Sequence, residues 1–221
     1  MCLTDDVARY YAARAQAYDA SAGYVDALAE RLREPIKERF REALMGRDVL
    51  EIACGTGYWT EVIAMAARSV LATDIDPGMI ALARSRLSSI GNVRCQIADA
   101  YTLNGVQGYF TAAFSHWWWS HVPKSRVKEF LRVLHGKLVP GALVVFADQL
   151  PYEWPDRRCD AEGNSLERRT VGDGRSWEIV KNFPTEKEIT GHLAGLGVGT
   201  SYREYPESGY WALTYNTEDK R

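Results

Sequence analysis

The chain has 221 residues, enough for one sizeable α/β core and too few for two ordinary domains. Its 46% hydrophobic and 25% charged residues match globular averages and weigh against a disordered or fibrous chain. A formal net charge of −2 weighs against a dedicated nucleic-acid binder, and no apolar run approaches the roughly 20 residues of a membrane helix, so neither a nucleic-acid nor a membrane partner is expected.

Residues 4–19 place Val7, Tyr10, Tyr11, Arg14 and Tyr18 on one face at helical spacing. The acidic N-terminus lacks the basic, then apolar start of a signal peptide, so a cytoplasmic protein is expected. Residues 24–45 place Val25, Leu28, Leu32, Ile36 and Phe40 on the apolar face of a second helix. Pro35 within it removes a backbone donor and predicts a kink or a restart. Residues 48–53 read as a buried strand, 57–68 as a helix and 70–73 as a second buried strand. Pro77 opens a helix carrying Met79, Ile80, Ala83, Leu87 and Ile90, which Gly91 and Asn92 stop. Strands follow at 93–98 and 109–116. Val127, Phe130, Leu131, Leu134 and Leu138 define a helix after Pro123, closed by Pro140 and Gly141 before a strand at 142–147. Then the alternation lapses. Gly172-Asp173-Gly174 predicts an inserted hairpin, and a helix near 185–196 leads to a second hairpin at 198–205 and 210–215. Arg157, Arg158, Arg168, Arg169 and Arg175, interleaved with Asp156, Asp160, Glu162, Glu167, Asp173 and Glu178, read as a solvated surface.

The predicted fold class is α/β: a doubly wound, Rossmann-like seven-stranded sheet with a C-terminal antiparallel hairpin, two N-terminal helices and an inserted β-hairpin after strand five. A single domain is expected over 1–221, with a helical lid at 1–45, a core at 46–148, a substrate-side insertion at 149–184 and a C-terminal helix and hairpin at 185–221. Ligands of such sheets sit beyond the carboxyl ends of the strands.

The first buried strand runs into Gly55-x-Gly57, and the second ends at Asp74 and Asp76. Gly-x-Gly permits a tight turn and brings a small molecule close to main-chain N–H groups at the next helix start. A carboxylate beside that turn can accept hydrogen bonds from two ribose hydroxyls, as in dinucleotide-binding βαβ units. A nucleoside site is expected. Dehydrogenases carry a third glycine where Thr60 stands, which weighs against a nicotinamide dinucleotide. Asp76 precedes Pro77, so helix capping is its other reading. Cys2, Cys54, Cys95 and Cys159 lie far apart with no histidine at ligand spacing, and neither a disulfide framework nor a metal is expected.

With Asp74, the run Ala98-Asp99-Ala100 after strand three and Leu138-Val139-Pro140-Gly141-Ala142 before strand five, the chain resembles the class I S-adenosylmethionine-dependent methyltransferases over roughly residues 48–148. Glu51 through Gly57 match their first motif, Glu/Asp-x-Gly/Ala-x-Gly-x-Gly, with Ala53 in place of a glycine and still small. Ala142 replaces the last glycine of their Leu-x-Pro-Gly-Gly. The resemblance implies S-adenosyl-L-methionine as cofactor and S-adenosyl-L-homocysteine as its product. It implies Glu51, Ala53, Cys54, Gly55 and Gly57 around the methionine half and Asp74 on the ribose. Ile75 and Met79 would sandwich the adenine, Asp99 would accept from its amino group, and the Ala100 amide would face the ring. Tyr18 and Ser115 complete the implied cofactor set. Tyr10, Tyr11 and Tyr18 look like the N-terminal lid of small-molecule members.

The run Ser115-His116-Trp117-Trp118-Trp119-Ser120-His121 falls at the end of the fourth strand, where this fold opens toward the transferred methyl. Positioning alone can contribute about 7–11 kcal/mol to an in-line displacement, so no base is obligatory. Where the acceptor carries a proton, His121, and after it His116, is the candidate catalytic base. Tyr10, Tyr11, Trp117, Trp118, Trp119 and, from the insertion, Trp154 are the candidate acceptor-binding residues. Packing is the other reading of the tryptophans, and structural hydrogen bonding that of the histidines. The expected function is methyl transfer to an oxygen, nitrogen or sulfur of a small organic molecule, by a monomer or homodimer. The alternatives are an RNA or protein methyltransferase, a nicotinamide-dependent oxidoreductase and a non-catalytic cofactor-binding subunit.

Overall fold

The computed structural model describes residues 3–218; Met1, Cys2 and residues 219–221 of the expected domain lie outside the described residues. The chain begins with α1 (Leu3–Arg14), a 3-10 turn, α2 (Tyr18–Ser21) and α3 (Ala27–Leu44). The core follows as β1 (Asp48–Ile52), α4 (Tyr58–Ala64), β2 (Ser69–Asp74), α5 (Pro77–Arg86), β3 (Val93–Ile97), β4 (Phe110–His116), α6 (Val127–His135) and β5 (Leu138–Gln149). Three short strands, β6 (Arg158–Cys159), β7 (Ser165–Thr170) and β8 (Ser176–Val180), precede α7 (Glu186–Leu193), β9 (Gly197–Tyr205) and β10 (Tyr210–Thr217).

The seven-stranded sheet has the order β3-β2-β1-β4-β5-β10-β9, with β1 to β5 parallel and the last hairpin antiparallel. Strand order reverses between β1 and β4, which opens the crevice where ligands of such sheets bind. Both faces of the sheet are covered. Leu50 and Ile52 of β1 pack with Phe130 and Leu134 of α6 and Ile189 of α7, while Val49 packs with Phe40 of α3, Ile63 of α4 and Ile80 of α5. Covering both faces explains why these strands read as nearly continuous apolar runs. Among the described residues, no helix is long and apolar enough to cross a membrane.

Four expectations need correction. The apolar stripe of the second helix is not all core: Val25 and Leu28 are 76% and 64% exposed, and Leu32 is also exposed. The first turns of α3 overhang the sheet, and burial begins only at Arg33 and continues through Ile36, Phe40 and Leu44. α3 also runs unbroken through Pro35, which sits on its exposed side where water can satisfy the carbonyl left without a donor. Leu138 belongs to β5 and not to the preceding helix, which ends at His135. Finally, the expected inserted hairpin does form, from β7 and β8 with the short β6 added beside it, but its charges are not all solvated and are partly internal. Glu167 is fully buried between Arg157 and Arg169, so alternation of sign in sequence disguised a buried ion cluster. The helix of the lid lies on this sheet, with Val7 and Tyr10 packed against Ile179 and Trp177.

The outer hairpin relies on one close approach. A Cβ at Gly197 would lie 2.5 Å from the ring of Tyr215, which is fully buried and held through its hydroxyl, 2.8 Å from His135 Nε2. Gly197→Ala is therefore expected to destabilise the fold by about 1–3 kcal/mol. Denaturant unfolding followed by circular dichroism checks this, and an unchanged midpoint would show that Tyr215 yields.

Candidate active site

The site begins at the carboxyl ends of β1 and β2. Asp74 closes β2, and its carboxylate accepts the N–H of Gly55 at 2.9 Å and the N–H of Asp76 at 2.9 Å. Asp76 caps α5 instead, accepting the N–H of Met79 at 2.7 Å, so the two acids divide their tasks as their sequence positions imply. Burial pushes the Asp74 carboxyl up to about 6, opposed by the two N–H donors and reinforced by Asp76. Below it, Glu51 is fully buried on β1 and its carboxyl rises to about 8 through desolvation. The Thr60 hydroxyl opposes that rise, and the Asp74 charge adds to it.

Ala53 follows β1 with φ +55, in the left-handed region that glycine adopts without cost. Its tolerance is thus a matter of backbone strain as well as size. Gly57 has φ +82, and a Cβ there would come within 3.0 Å of Leu87 and 3.2 Å of the Ala83 backbone, so this glycine lets α4 start against α5. A Cβ at Gly55 would meet nothing within 4 Å, which leaves the turn open toward the cavity.

A cavity of about 190 Å³ opens above this turn. Of the sequence-predicted site residues, Tyr11, Tyr18, Ala53, Gly55, Asp74, Ile75, Met79, Asp99, Ala100, His116, Trp117, Trp118 and His121 line it. The others do not. Glu51 and Cys54 are buried behind the wall, Gly57 serves helix packing, and Ser115 is buried with its hydroxyl donating to the Ile52 carbonyl at 2.8 Å. Tyr10 packs on Trp177, while Trp154 lies under the Arg169 guanidinium, 4.3 Å from its ring centroid. Trp119 enters a 3-10 turn that carries it into the core against Phe146 and Trp211. Asp99 accepts its own loop's Tyr101 N–H at 2.7 Å and still faces the cavity. Sequence reasoning missed Val7, Ala8, Asp76, Ala98, Tyr101 and Arg126 in the lining. Tyr101 directly follows the Ala98-Asp99-Ala100 run and was within reach of that argument.

The wall of the cavity around His121 carries a hydrogen-bonded chain. His121 Nδ1 lies 2.7 Å from the Val180 carbonyl, which can only accept, so Nδ1 carries the proton and Nε2 the lone pair. The Tyr11 hydroxyl, 2.8 Å from Nε2, therefore donates to it. Burial first, and then the Lys181 charge, hold the His121 imidazole well below its usual range and keep it neutral. Lys181 is itself buried, donating to Ser120 Oγ at 2.8 Å beside Asp148. His116 stacks on Trp59 at 4.2 Å, and its Nε2 is buried with no partner among the described residues. The lid is latched to the glycine turn by Thr56 Oγ1, which donates to Asp19 Oδ1 at 2.6 Å, and Asp19 also pairs with Arg86 of α5. Among the described residues, no group of three or more His, Cys, Asp or Glu side chains is placed to hold a metal ion.

Residues 49–141 match the methyltransferase-domain family. In structure, the chain is similar to DhpI in complex with SAH, at 32% identity over 99% of this chain and 98% of that one with a TM-score of 0.80, and to DhpI with SAM and HEP, at a TM-score of 0.73 over 96% and 97%. In sequence it is similar to phosphoethanolamine N-methyltransferase 1 of Caenorhabditis elegans, 31% identical over 40% of this chain and 18% of that protein. It is also similar to the malonyl-(acyl-carrier protein) O-methyltransferase of Serratia marcescens, 27% identical over 83% and 77%. The first curated relatives are matched over a quarter of their length or less. The chain belongs to the class I S-adenosylmethionine-dependent methyltransferases. Those two DhpI structures hold SAH and SAM. The residues present in this chain fit that group: a half-buried carboxylate faces the cavity beside an open glycine turn, with Met79 and Ile75 as an apolar wall.

Glu51 gives this floor a pH signature. Its folded value of about 8 lies above that of an unfolded glutamate, so its contribution is full below about pH 4.5 and is lost as pH rises to about 8. Replacing it by Glu51→Gln is expected to remove a decline of up to about 1.4 kcal/mol per pH unit across that window. Urea unfolding of both proteins from pH 5 to 9 tests it; parallel profiles would place Glu51 in contact with water.

Proposed function

We propose that this protein transfers the methyl group of S-adenosylmethionine to an oxygen, nitrogen or sulfur of a small organic molecule, with the described chain acting as one domain. The observation that carries this reading is the Val180–His121–Tyr11 chain, which sets a proton acceptor in the wall of the same enclosed cavity that Asp74 lines. Bound S-adenosylmethionine supplies a methyl carbon on a sulfonium, a leaving group that needs no protonation. The cavity lies between the lid and the core, and its size suits a small acceptor rather than a folded RNA or protein.

In this reading Asp74 accepts the ribose hydroxyls, Met79 and Ile75 flank the adenine, and Asp99 with Ala100 reads its edge. His121 does not meet the acceptor directly, because the Tyr11 hydroxyl occupies its lone pair. As the acceptor's heteroatom bonds to the methyl carbon, its proton passes to Tyr11 Oη and the tyrosine's own proton passes to His121 Nε2. The Val180 carbonyl holds the resulting imidazolium through Nδ1–H, and burial makes that cation short-lived. Tyr11 and Tyr18, with α1 above them, exclude water from the cavity.

The cofactor reading is tested by Asp74→Asn. Asparagine offers one acceptor oxygen to the two N–H groups and carries no charge, so S-adenosylhomocysteine should bind more weakly by about 1.5–3 kcal/mol, roughly ten- to hundredfold. In the unmodified protein the carboxyl must be ionised to accept both hydroxyls, and with a value of about 6 its affinity should fall about tenfold per unit as pH drops below 6. Isothermal calorimetry reads both effects; a flat affinity from pH 5 to 8 would remove Asp74 from the ribose.

The relay is tested by Tyr11→Phe and His121→Gln. Each is expected to lower methyl transfer from labelled cofactor into a metabolite extract by roughly 10²–10⁴-fold, with the double variant no worse than the poorer single one. S-adenosylhomocysteine affinity should stay within about twofold in all three, since neither side chain belongs to the proposed cofactor contacts. Additive losses, or unchanged turnover, would reduce the pair to scaffolding.

A further inference from the structure

A second chamber lies behind Trp117. It holds about 480 Å³ between the end of β5, the segment that follows it, the β9–β10 turn and the end of α2. Among the described residues, Trp117 alone lines both chambers. Its backbone leaves β4 at φ +58, a left-handed conformation that a bulky residue adopts only when its surroundings impose it. The Trp117 N–H donating to the Ala147 carbonyl at 2.9 Å holds that turn. The indole is stacked near Tyr24 at 6.0 Å and meets Tyr210 edge-on at 5.9 Å, so it stands as a partition. Its Nε1 donor is buried and has no partner among the described residues. A buried indole N–H is normally satisfied, and here the donor is left for a ligand.

The lining defines what fits. In a chain with 25% charged residues, none of the residues lining this chamber is charged. Trp117, Tyr152 and Tyr210 supply aromatic surface. The phenols are already engaged: Tyr210 accepts from Arg33 Nε at 3.1 Å, and Tyr152 donates to Glu167 Oε2 at 3.1 Å. What Tyr152 offers is therefore ring surface, while Tyr210, packed against Trp59 and His116, closes the wall. The Gln149 side-chain amide makes no hydrogen bond among the described residues and provides a donor and an acceptor.

We propose that this second chamber binds the body of the acceptor, an uncharged, flat, largely apolar group bearing a hydrogen-bond acceptor, and that Trp117 partitions it from the chamber where the methyl is transferred. The nucleophilic end then reaches past the indole to Tyr11 while the remainder stacks against Trp117 and Tyr152. The assignment rests on the small-molecule reading above and adds to it a two-part shape and the chemistry of the distal part.

The test uses the full chain loaded with S-adenosylhomocysteine and three probes of one shape: benzamide, benzoate and benzylammonium. Saturation-transfer NMR titrations should show benzamide binding at least about tenfold tighter than either charged analogue. Benzamide should also shift an indole N–H resonance that is missing from Trp117→Phe. Ser208→Phe and Gln149→Phe fill the chamber and should each weaken benzamide by about tenfold or more while S-adenosylhomocysteine affinity, the check on folding, stays within about twofold. Equal or tighter binding of a charged analogue overturns the proposal, as does benzamide binding indifferent to both filling variants, or its absence while S-adenosylhomocysteine binds. Failure of S-adenosylhomocysteine to bind the unmodified protein would instead overturn the cofactor reading on which the proposal stands.

Discussion

One carboxylate organises the mouth of this sheet. Asp74 is half-buried in the cavity wall, and an ionised carboxylate withdrawn from water is favoured when donors surround it. The donors it uses are main-chain N–H groups of the two loops that leave neighbouring strands, Gly55 after β1 and Asp76 after β2. A single side chain thereby sets the shape of both loops. With Gly55 held, Gly57 can place the start of α4 against Ala83 and Leu87 of α5, and the apolar wall of the cavity, Met79, follows from the same helix. The cavity wall and the local fold are thus one arrangement. Removing the acid would disturb the turn as well as any ligand contact.

The acceptor side is built differently, from three segments far apart in sequence that meet only after the core has formed. The lid contributes Tyr11, the loop after β4 contributes His121, and the insertion contributes the Val180 carbonyl that fixes the histidine's tautomer. Asp19 secures the lid to Thr56 and Arg86, while Val7 and Tyr10 fasten α1 to the inserted sheet. Tyr11 is thereby held beside His121 by contacts at both ends of the lid.

This contrast explains what could be read beforehand. The parallel strands, the glycine turn, Asp74 and the capping role of Asp76 are local, and buried runs, turns and caps leave periodic or positional marks in sequence. The Tyr11 and His121 pair is separated by 110 positions, and no spacing rule links them. Among the three consecutive tryptophans, the sequence offered no way to tell Trp117 and Trp118, which line the cavity, from Trp119, which a 3-10 turn sends into the core. The exposed Val25 and Leu28 mislead for a related reason: helical periodicity gives a face but not how far the partner surface extends beneath it. In the insertion, buried Glu167 and Lys181 were hidden because charge pattern reports solvation only when each charge stays at the surface.

Two strained residues mark the functional axis more sharply than any motif. Ala53 and Trp117 are the first residues beyond β1 and β4, the paired strands between which the order of the sheet reverses, and both take left-handed φ values, +55 and +58, without being glycine. Such conformations cost on the order of 1–3 kcal/mol each and persist only where the surroundings impose them. Here the same kind of bond imposes both: Cys54 N–H to the Thr73 carbonyl beside Ala53, and Trp117 N–H to the Ala147 carbonyl. Each ties the departing chain to the next strand outward from the crevice. Each strained residue thus holds its loop in one part of the cavity wall, Ala53 on the Asp74 side and Trp117 on the aromatic side.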